Sequence, residues 1–280
     1  MNDTSDAAPS RSGKKNDLYD DRQRKEWAGR APRLFVEFDL GDGAILQLSK
    51  AQAHYLGSVL RLKTGANVLL FNGRDGEWRA EIAHCDRRSA RLNVCEQTRT
   101  QPRPAEIELL FAPLKHARLD YMVQKATEMG VAAVRPVITR RTVTARVKLD
   151  RMKANVIEAA EQCGNLCPPE VHEPQKLPSV LAEWPEYPAP ARHLVFADET
   201  ASSSNPAAVL AQLKGQPLSI LIGPEGGFDE TERRDLLARH HTIPISLGPR
   251  ILRADTAAIV ALTLCQAHSG DWTTQRAKAH

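Results

Sequence analysis

The chain changes its pattern near residue 104, and this change constrains the fold more than any other feature of the sequence. Beyond it, apolar strand segments alternate with amphipathic helix segments, from IELLFA at 107–112 to IPISLG at 243–248 and a last helix at about 255–268. Two of the helix segments end at glycines, Gly130 and Gly164, as helices commonly do. Alternation of this kind is typical of an α/β domain with a mainly parallel sheet.

The part before residue 104 consists of short strand segments with little helix. It predicts two hairpins, one at 33–49 around Gly41-Asp42-Gly43 and one at 66–85 around the turn 72–76. A further strand is predicted at 89–97. Five or so short strands in so few residues favour a small β-barrel.

These two patterns divide the chain. The first residues are charged and nearly free of large apolar side chains, so they cannot bury enough surface to offset the entropy of ordering. We predict a disordered tail at 1–31, a β-barrel at 32–103, an α/β domain at 104–273 and a short tail at 274–280. The amino terminus lacks the apolar core of a secretory signal, and no apolar run is long enough for a membrane helix. We therefore expect a cytoplasmic chain with no membrane partner.

Charge and cysteine content narrow the possible partners. Residues 113–153 carry 10 basic side chains against 3 acidic ones, and such a block favours a polyanionic partner. The 5 cysteines are too few and too scattered for a disulfide framework. Cys163, Cys167 and His172 do not have the spacing of a zinc site, so we predict no metal.

The segment 218–229 carries the most chemical information. An apolar strand (LSILI) leads into Gly223-Pro224-Glu225-Gly226-Gly227 and then into a helix, for which Asp229 and Glu232 form a predicted capping box. Ligands of α/β sheets bind beyond the carboxyl ends of strands, where this loop lies. Gly226 and Gly227 are expected to allow positive φ and a close approach of the backbone.

No phosphate-binding signature accompanies this loop. It has neither the Gly-Lys-Ser/Thr of nucleotide triphosphatases nor the G-x-G-x-x-G of dinucleotide-binding enzymes. A cofactor held here is expected to be neutral or cationic rather than a polyphosphate. A tight turn without a ligand remains the alternative reading.

A second loop, at 247–257, opens the last helix. Its two arginines flank two aliphatic residues, and a positive edge beside an apolar wall suits a nucleobase or an adenine ring. Asp255 or Thr256 is the expected cap of the helix.

The two loops together, IGPEGGF at 222–228 and SLGPRILRADTA at 246–257, resemble the paired cofactor loops of the SPOUT methyltransferases. Within that superfamily they resemble the ribosomal RNA small subunit methyltransferase E family. Further segments match the same family in order, so that the likeness extends over about 32–268: RLF at 33–35, HYL at 54–56, VLR at 59–61, FAPLK at 111–115, QKATEMGV at 124–131, RRT at 140–142 and EAAEQCG at 158–164. Two departures stand out. Ala254-Asp255 replaces the family's Thr-Glu, and 165–168 lacks the basic residues usual there.

The resemblance implies an α/β protein with an N-terminal PUA-like β-barrel and a C-terminal SPOUT domain that contains a deep trefoil knot. It implies a homodimer that uses S-adenosyl-L-methionine to methylate N3 of a uridine in 16S ribosomal RNA, within the small ribosomal subunit. Two alternatives stay open: another SPOUT RNA methyltransferase acting on the ribose 2′-oxygen, and a non-catalytic RNA-binding assembly factor.

The resemblance also suggests roles for individual residues. Candidates for catalysis, by stabilising the uridine anion or accepting its proton, are Arg250, Arg253, Glu225 and Asp255. Candidates for cofactor binding, through backbone groups and apolar walls, are Leu221, Ile222, Gly223, Gly226, Leu247, Gly248, Ile251 and Leu252. Candidates for RNA binding are Arg33, His54, Arg61, Lys115, Arg118, Arg140 and Arg141.

Overall fold

The computed structural model describes residues 31–144, 146–184, 192–201 and 205–273. The chain forms two compact units, which meet in sequence between Thr100 and Gln101. Apart from Ala31, the two predicted tails lie outside the described residues.

The first unit is built on a five-stranded sheet and one short helix. Its strands are β1 (Arg33–Phe35), β2 (Ile45–Gln47), β3 (Asn67–Phe71), β4 (Glu77–Cys85) and β5 (Ala90–Arg99), and helix α1 (Lys50–His54) continues into a π-helical turn at Tyr55–Val59. The spatial order is β1-β3-β4-β5-β2. The pairs β3–β4, β4–β5 and β2–β5 are antiparallel, and β1–β3 is parallel. The hairpin predicted around the turn 72–76 is thus confirmed.

The hairpin predicted around Gly41-Asp42-Gly43 is wrong. β1 and β2 do not pair and lie at opposite edges of the sheet. The residues between them bond elsewhere: the Leu40 N–H donates to Asp75 at 2.9 Å, and the Gly43 N–H donates to the Val94 carbonyl at 3.1 Å. A glycine-rich turn between two apolar segments is only a local signal, and here the distant strands β3 and β5 supply the partners.

A buried carboxylate ties three strands of this unit together. The Glu77 side chain is only 4% exposed and accepts hydrogen bonds from Arg33 at 2.9 Å and from Thr98 at 2.9 Å. Arg99 donates to both of its oxygens, at 3.0 and 2.6 Å. Burial alone would raise the pKa of Glu77, but these donors outweigh it and hold the pKa below its usual value.

The second unit alternates strands and helices around a parallel sheet, which confirms the predicted α/β class. Its strands are β6 (Ile107–Phe111), β7 (Ala133–Ile138), β8 (Glu170–Val171), β9 (Gln175–Lys176), β10 (His193–Ala197), β11 (Leu218–Ile222) and β12 (Thr242–Ile245). Its helices are α2 (His116–Glu128), α3 (Leu149–Cys163), α4 (Leu177–Ala182), α5 (Pro206–Ala211), α6 (Glu230–Leu237) and α7 (Ala254–Ser269), followed by a 3₁₀ turn at Asp271–Thr273.

The spatial order of this sheet is β12-β10-β11-β6-β7-β8, with β9 paired to β7. Every pair is parallel. Helices cover both faces, so central strands such as β11 are buried along their whole length. β10, β11 and β12 are neighbours in space, so the loops that follow their carboxyl ends lie at the same edge of the sheet.

Two helix starts test the predicted caps. Asp229 caps α6 in a capping box with Glu232, as expected. The cap predicted for α7 is wrong: the chain enters this helix at Arg253, whose backbone is extended and whose carbonyl accepts from the Ala257 N–H at 2.7 Å. Asp255 lies inside the first turn and accepts from the Thr256 N–H at 3.0 Å.

No helix in the described ranges is both long and apolar enough to cross a bilayer.

Candidate functional site

The loops that follow β10, β11 and β12 enclose a cavity of about 810 Å³. This volume falls within the range, roughly 300–1,000 Å³, that is usual for cofactor sites. The walls come from 196–201, 222–225, 227–228 and 246–254, with single contributions from Arg118 on α2, Arg233 on α6 and Ala257 on α7. The two loops singled out in the sequence therefore do meet at one cavity.

The loop after β11 is held close by its glycines. The Gly227 N–H donates to the Pro224 carbonyl at 2.9 Å and closes a tight turn, and Gly227 has φ +68°. A Cβ added at Gly223 would lie 2.5 Å from the Phe228 ring, so only glycine lets that ring fold back over the strand end. Phe228 in turn packs edge-on against Phe196, with ring centroids 5.0 Å apart.

Gly226 behaves differently from the sequence prediction. Its φ lies outside the left-handed region that Gly227 occupies, and it does not line the cavity. A Cβ added there would meet only the Arg141 side chain, at 3.8 Å. Of these two adjacent glycines, only Gly227 has a backbone conformation that favours glycine.

The loop after β12 supplies apolar side chains and two exposed arginines to the cavity. Leu247, Leu252 and Ile251 line the cavity, and Ile251 is 90% exposed. Gly248 has φ +108°. Arg250 and Arg253 are exposed, line the same cavity and have no ion-pair partner among the described residues. This loop thus offers both an apolar surface and unneutralised positive charge.

The loop after β10 is a part of the site that sequence reasoning missed. Asp198, buried to 4% exposure, accepts from Arg233 at 2.9 Å and from the Thr200 N–H at 3.0 Å. Burial would raise the pKa of Asp198, but the bonds from Arg233 and Thr200 outweigh it and lower the pKa. The signal was available: Glu199-Thr200 directly follows the segment HLVFAD at 193–198, whose pattern predicts a strand, at the same carboxyl edge as the other two loops.

One candidate catalytic carboxylate is already paired and another lies outside the cavity. Glu225 accepts a hydrogen bond from Arg118, a residue predicted to bind RNA, and both line the cavity. Asp255 does not line it. Of the four candidate catalytic residues, Arg250, Arg253 and Glu225 are brought together at the cavity.

Two arginines predicted to contact RNA, Arg140 and Arg141, are bonded to the β11 loop and the start of α6, and their contact with RNA stays a prediction. They follow β7, whose carboxyl end lies at the same edge of the sheet. Arg141 Nη1 donates to the Gly226 carbonyl at 2.9 Å. The Arg140 N–H donates to Glu232 at 2.8 Å, and its Nη1 donates to Asp229 at 2.9 Å. A bond from the Glu232 N–H, together with the Arg140 guanidinium, holds the pKa of Asp229 below its usual value.

The other predicted RNA contacts are scattered. Lys115 is exposed at the start of α2. In the first unit, His54 ends α1 and is exposed, and exposed Arg61 has φ +56°, which is uncommon for a residue other than glycine. Arg33 is bound to Glu77. These residues stay predictions as RNA contacts.

Six of the eight predicted cofactor residues line the cavity. The two that do not are Gly226 and Leu221, which is fully buried in the core on one face of the sheet. Within the described ranges, no group of three or more His, Cys, Asp or Glu side chains is arranged to hold a metal ion.

Comparisons with known proteins agree with this layout. Residues 101–266 match a family model described as an RNA methyltransferase domain, and residues 48–95 match an RNA methyltransferase PUA domain. The chain is 31% identical to ribosomal RNA small subunit methyltransferase E of Rickettsia conorii, over 82% of this chain and 93% of that protein. It is 33% identical to the protein of the same name from Synechocystis, over 83% and 74%.

Solved structures are similar along almost the whole of their own length. A methyltransferase from Legionella pneumophila in complex with S-adenosylmethionine has a TM-score of 0.74 and 29% identity, and covers 86% of this chain and 99% of its own. Ribosomal RNA small subunit methyltransferase E from Neisseria gonorrhoeae, bound to S-adenosyl methionine, has a TM-score of 0.74 and 26% identity, over 87% and 100%.

Proposed function

Because the chain belongs to the ribosomal RNA small subunit methyltransferase E family, we propose that it methylates N3 of a uridine in 16S ribosomal RNA. Membership makes it an S-adenosylmethionine-dependent rRNA methyltransferase with a PUA-like domain followed by an α/β methyltransferase domain. The observation that carries the proposal is the single cavity formed where the glycine-rich and arginine-bearing loops meet.

The cavity fits a compact cationic donor. Gly223 makes room for the Phe228 ring, and Gly227 lets the Glu199 carboxylate lie against the backbone. Ile222, Leu247 and Leu252 supply apolar wall for an adenine ring. Free charges of both signs, on Glu199 and on Arg250 and Arg253, suit a molecule that carries an ammonium, a carboxylate and a sulfonium.

The protein must align the methyl donor with the base and must stabilise the negative charge on the deprotonated base. When bound, S-adenosylmethionine provides a methyl group on a sulfonium, and N3 of uracil must lose its proton before it can take that methyl. Arg250 and Arg253 are free to stabilise the resulting uridine anion, because neither guanidinium is neutralised by a described carboxylate. Holding the two reactants in line contributes on the order of 7–11 kcal/mol in well-oriented systems.

Neither candidate proton acceptor is a free carboxylate of the cavity. Glu225 is engaged by Arg118, and Asp255 lies outside the cavity lining. We therefore assign the larger share of activation to the two arginines, which favour the deprotonated base by charge.

The finer architecture belongs to the same proposal. Several structural features stay predictions: the barrel closure of the first unit, the trefoil knot, the homodimer and the domain limits 32–103 and 104–273. Action on the small ribosomal subunit in the cytoplasm also stays a prediction. The path of the last helix supports the knot: α7 follows the edge strand β12, yet it packs over β11 and β6 in the interior of the sheet.

The alternatives are less well supported. A ribose 2′-O-methyltransferase would share the donor site, but the relatives at 31% and 33% identity both bear the small-subunit methyltransferase E name. A non-catalytic assembly factor has no need for two free arginines beside a formed donor cavity.

Transfer of labelled methyl groups tests the proposal. Small ribosomal subunits that lack the modification would be incubated with the enzyme and labelled S-adenosylmethionine, and the RNA digested to nucleosides. We expect label in 3-methyluridine. Label in a 2′-O-methylated nucleoside would move the chain to the first alternative, and donor binding without transfer to any RNA would contradict the catalytic assignment.

A further inference from the structure

The cavity contains three carboxylates, and two of them are already neutralised. Asp198 is bound by Arg233 at 2.9 Å, and Glu225 is bound by Arg118. The third, Glu199, lines the cavity, is exposed and has no hydrogen-bond or ion-pair partner among the described residues. A free carboxylate at a cavity wall is a ready partner for a cationic group of a ligand.

The backbone holds Glu199 in place. Asp198 accepts from the Thr200 N–H at 3.0 Å and from the Thr200 hydroxyl at 2.9 Å, and the Ala201 N–H donates to the Asp198 carbonyl at 3.1 Å. These bonds close a turn in which Glu199 is the second residue. The bond from Arg233 to the buried Asp198 connects that turn to α6, so the turn that carries Glu199 is fixed by hydrogen bonds and an ion pair.

The carboxylate of Glu199 lies next to the glycine-rich loop after β11. A Cβ built on Gly227 would lie 3.2 Å from Glu199 Oε1. The free carboxylate therefore lies against the left-handed Gly227, where the loops after β10 and β11 meet.

We infer that Glu199 binds the ammonium group at the amino-acid end of the methyl donor; this inference rests on the proposed function. An ammonium donates charge-assisted hydrogen bonds to a carboxylate, whereas a sulfonium has no hydrogen to donate. A carboxylate held against the sulfonium would also stabilise a charge that disappears during methyl transfer, and this would slow the reaction. The ammonium keeps its charge throughout, so its binding costs nothing in the transition state.

Three ligands separate this role from the others. S-adenosylmethionine and S-adenosylhomocysteine both carry the ammonium, only the first carries the sulfonium, and 5′-methylthioadenosine carries neither. Calorimetric titration of the full chain and of Glu199→Gln with each ligand is the test. We expect the variant to lose about tenfold in affinity for the first two and less than twofold for the third.

The control is Glu158→Gln, the same change at an exposed glutamate of α3 outside the cavity. It should leave all three affinities unchanged, and equal melting temperatures for both variants and wild type verify folding. Loss confined to S-adenosylmethionine would assign Glu199 to the sulfonium and overturn the inference. An equal loss for 5′-methylthioadenosine would assign it to the ribose and also overturn it, as would no loss at all. If wild type itself bound no donor, the proposed function would fail instead.

Discussion

At the scale of single residues, glycines and arginines that are close in the sequence have different roles in the structure. Gly226 and Gly227 are adjacent, yet only Gly227 has a left-handed backbone, and only Gly227 lines the cavity. Arg250 and Arg253 are free at the cavity, whereas Arg140 and Arg141 are bound to the β11 loop. The sequence identifies the residue types, but their roles depend on contacts with distant segments.

The glycine pair provides a matched test. Gly227→Ala should lower affinity for S-adenosylmethionine severalfold and cost about 1–2 kcal/mol of stability, because an L-residue is strained at φ +68° and its Cβ meets Glu199. Gly226→Ala should leave affinity within twofold, because its Cβ makes only an ordinary contact at 3.8 Å. Calorimetric titration and chemical denaturation measure both effects. Equal loss in the two variants would contradict the described loop geometry.

At the scale of elements, predictions succeeded where the signal was local. The alternation of strands and helices, the capping box of α6 and the glycine ends of α2 and α3 all depend on residues a few positions apart. The pairing of β1 with β3, and of β2 with β5, depends on partners tens of residues away, so the Gly41-Asp42-Gly43 turn could not reveal it. The loop after β10 was predictable by the carboxyl-edge rule, whereas the Asp198–Arg233 contact was not.

The contact between the β7 and β11 loops gives a prediction at this scale. Arg141→Ala should lower affinity for S-adenosylmethionine by about threefold to tenfold, since it removes a charged hydrogen bond to the Gly226 carbonyl from an exposed position. The slope of log RNA affinity against log salt should change little. Arg146→Ala, at an exposed arginine outside the cavity lining, is the control. A slope reduced by about one, with donor binding intact, would instead make Arg141 a phosphate contact.

At the scale of the whole molecule, one buried carboxylate links the stability of the first unit to pH. The pKa of Glu77 is lowered in the folded state, so its stabilising contribution is fully present above its unfolded pKa of about 4.5. The contribution is lost as the pH falls through the lower, folded value. Acid should therefore weaken the first unit by protonating Glu77.

Glu77→Gln measures that contribution. At pH 7 the variant should be less stable by roughly 2–4 kcal/mol, because two arginines lose a buried partner. Denaturant unfolding of the full chain, monitored by Trp78 fluorescence after the other three tryptophans are replaced by Phe, should show the gap between variant and wild type closing below about pH 4. A gap that stays constant down to pH 3 would show that another group controls the acid response.

The three loops of the donor cavity follow strands that are side by side in space but far apart in the chain. A chain growing from the ribosome completes the β10 and β11 loops first and still has only part of the cavity. The last wall arrives with the β12 loop and α7, which follow the other two loops in the chain. The polypeptide therefore cannot form the complete donor cavity until the residues of the β12 loop have been added.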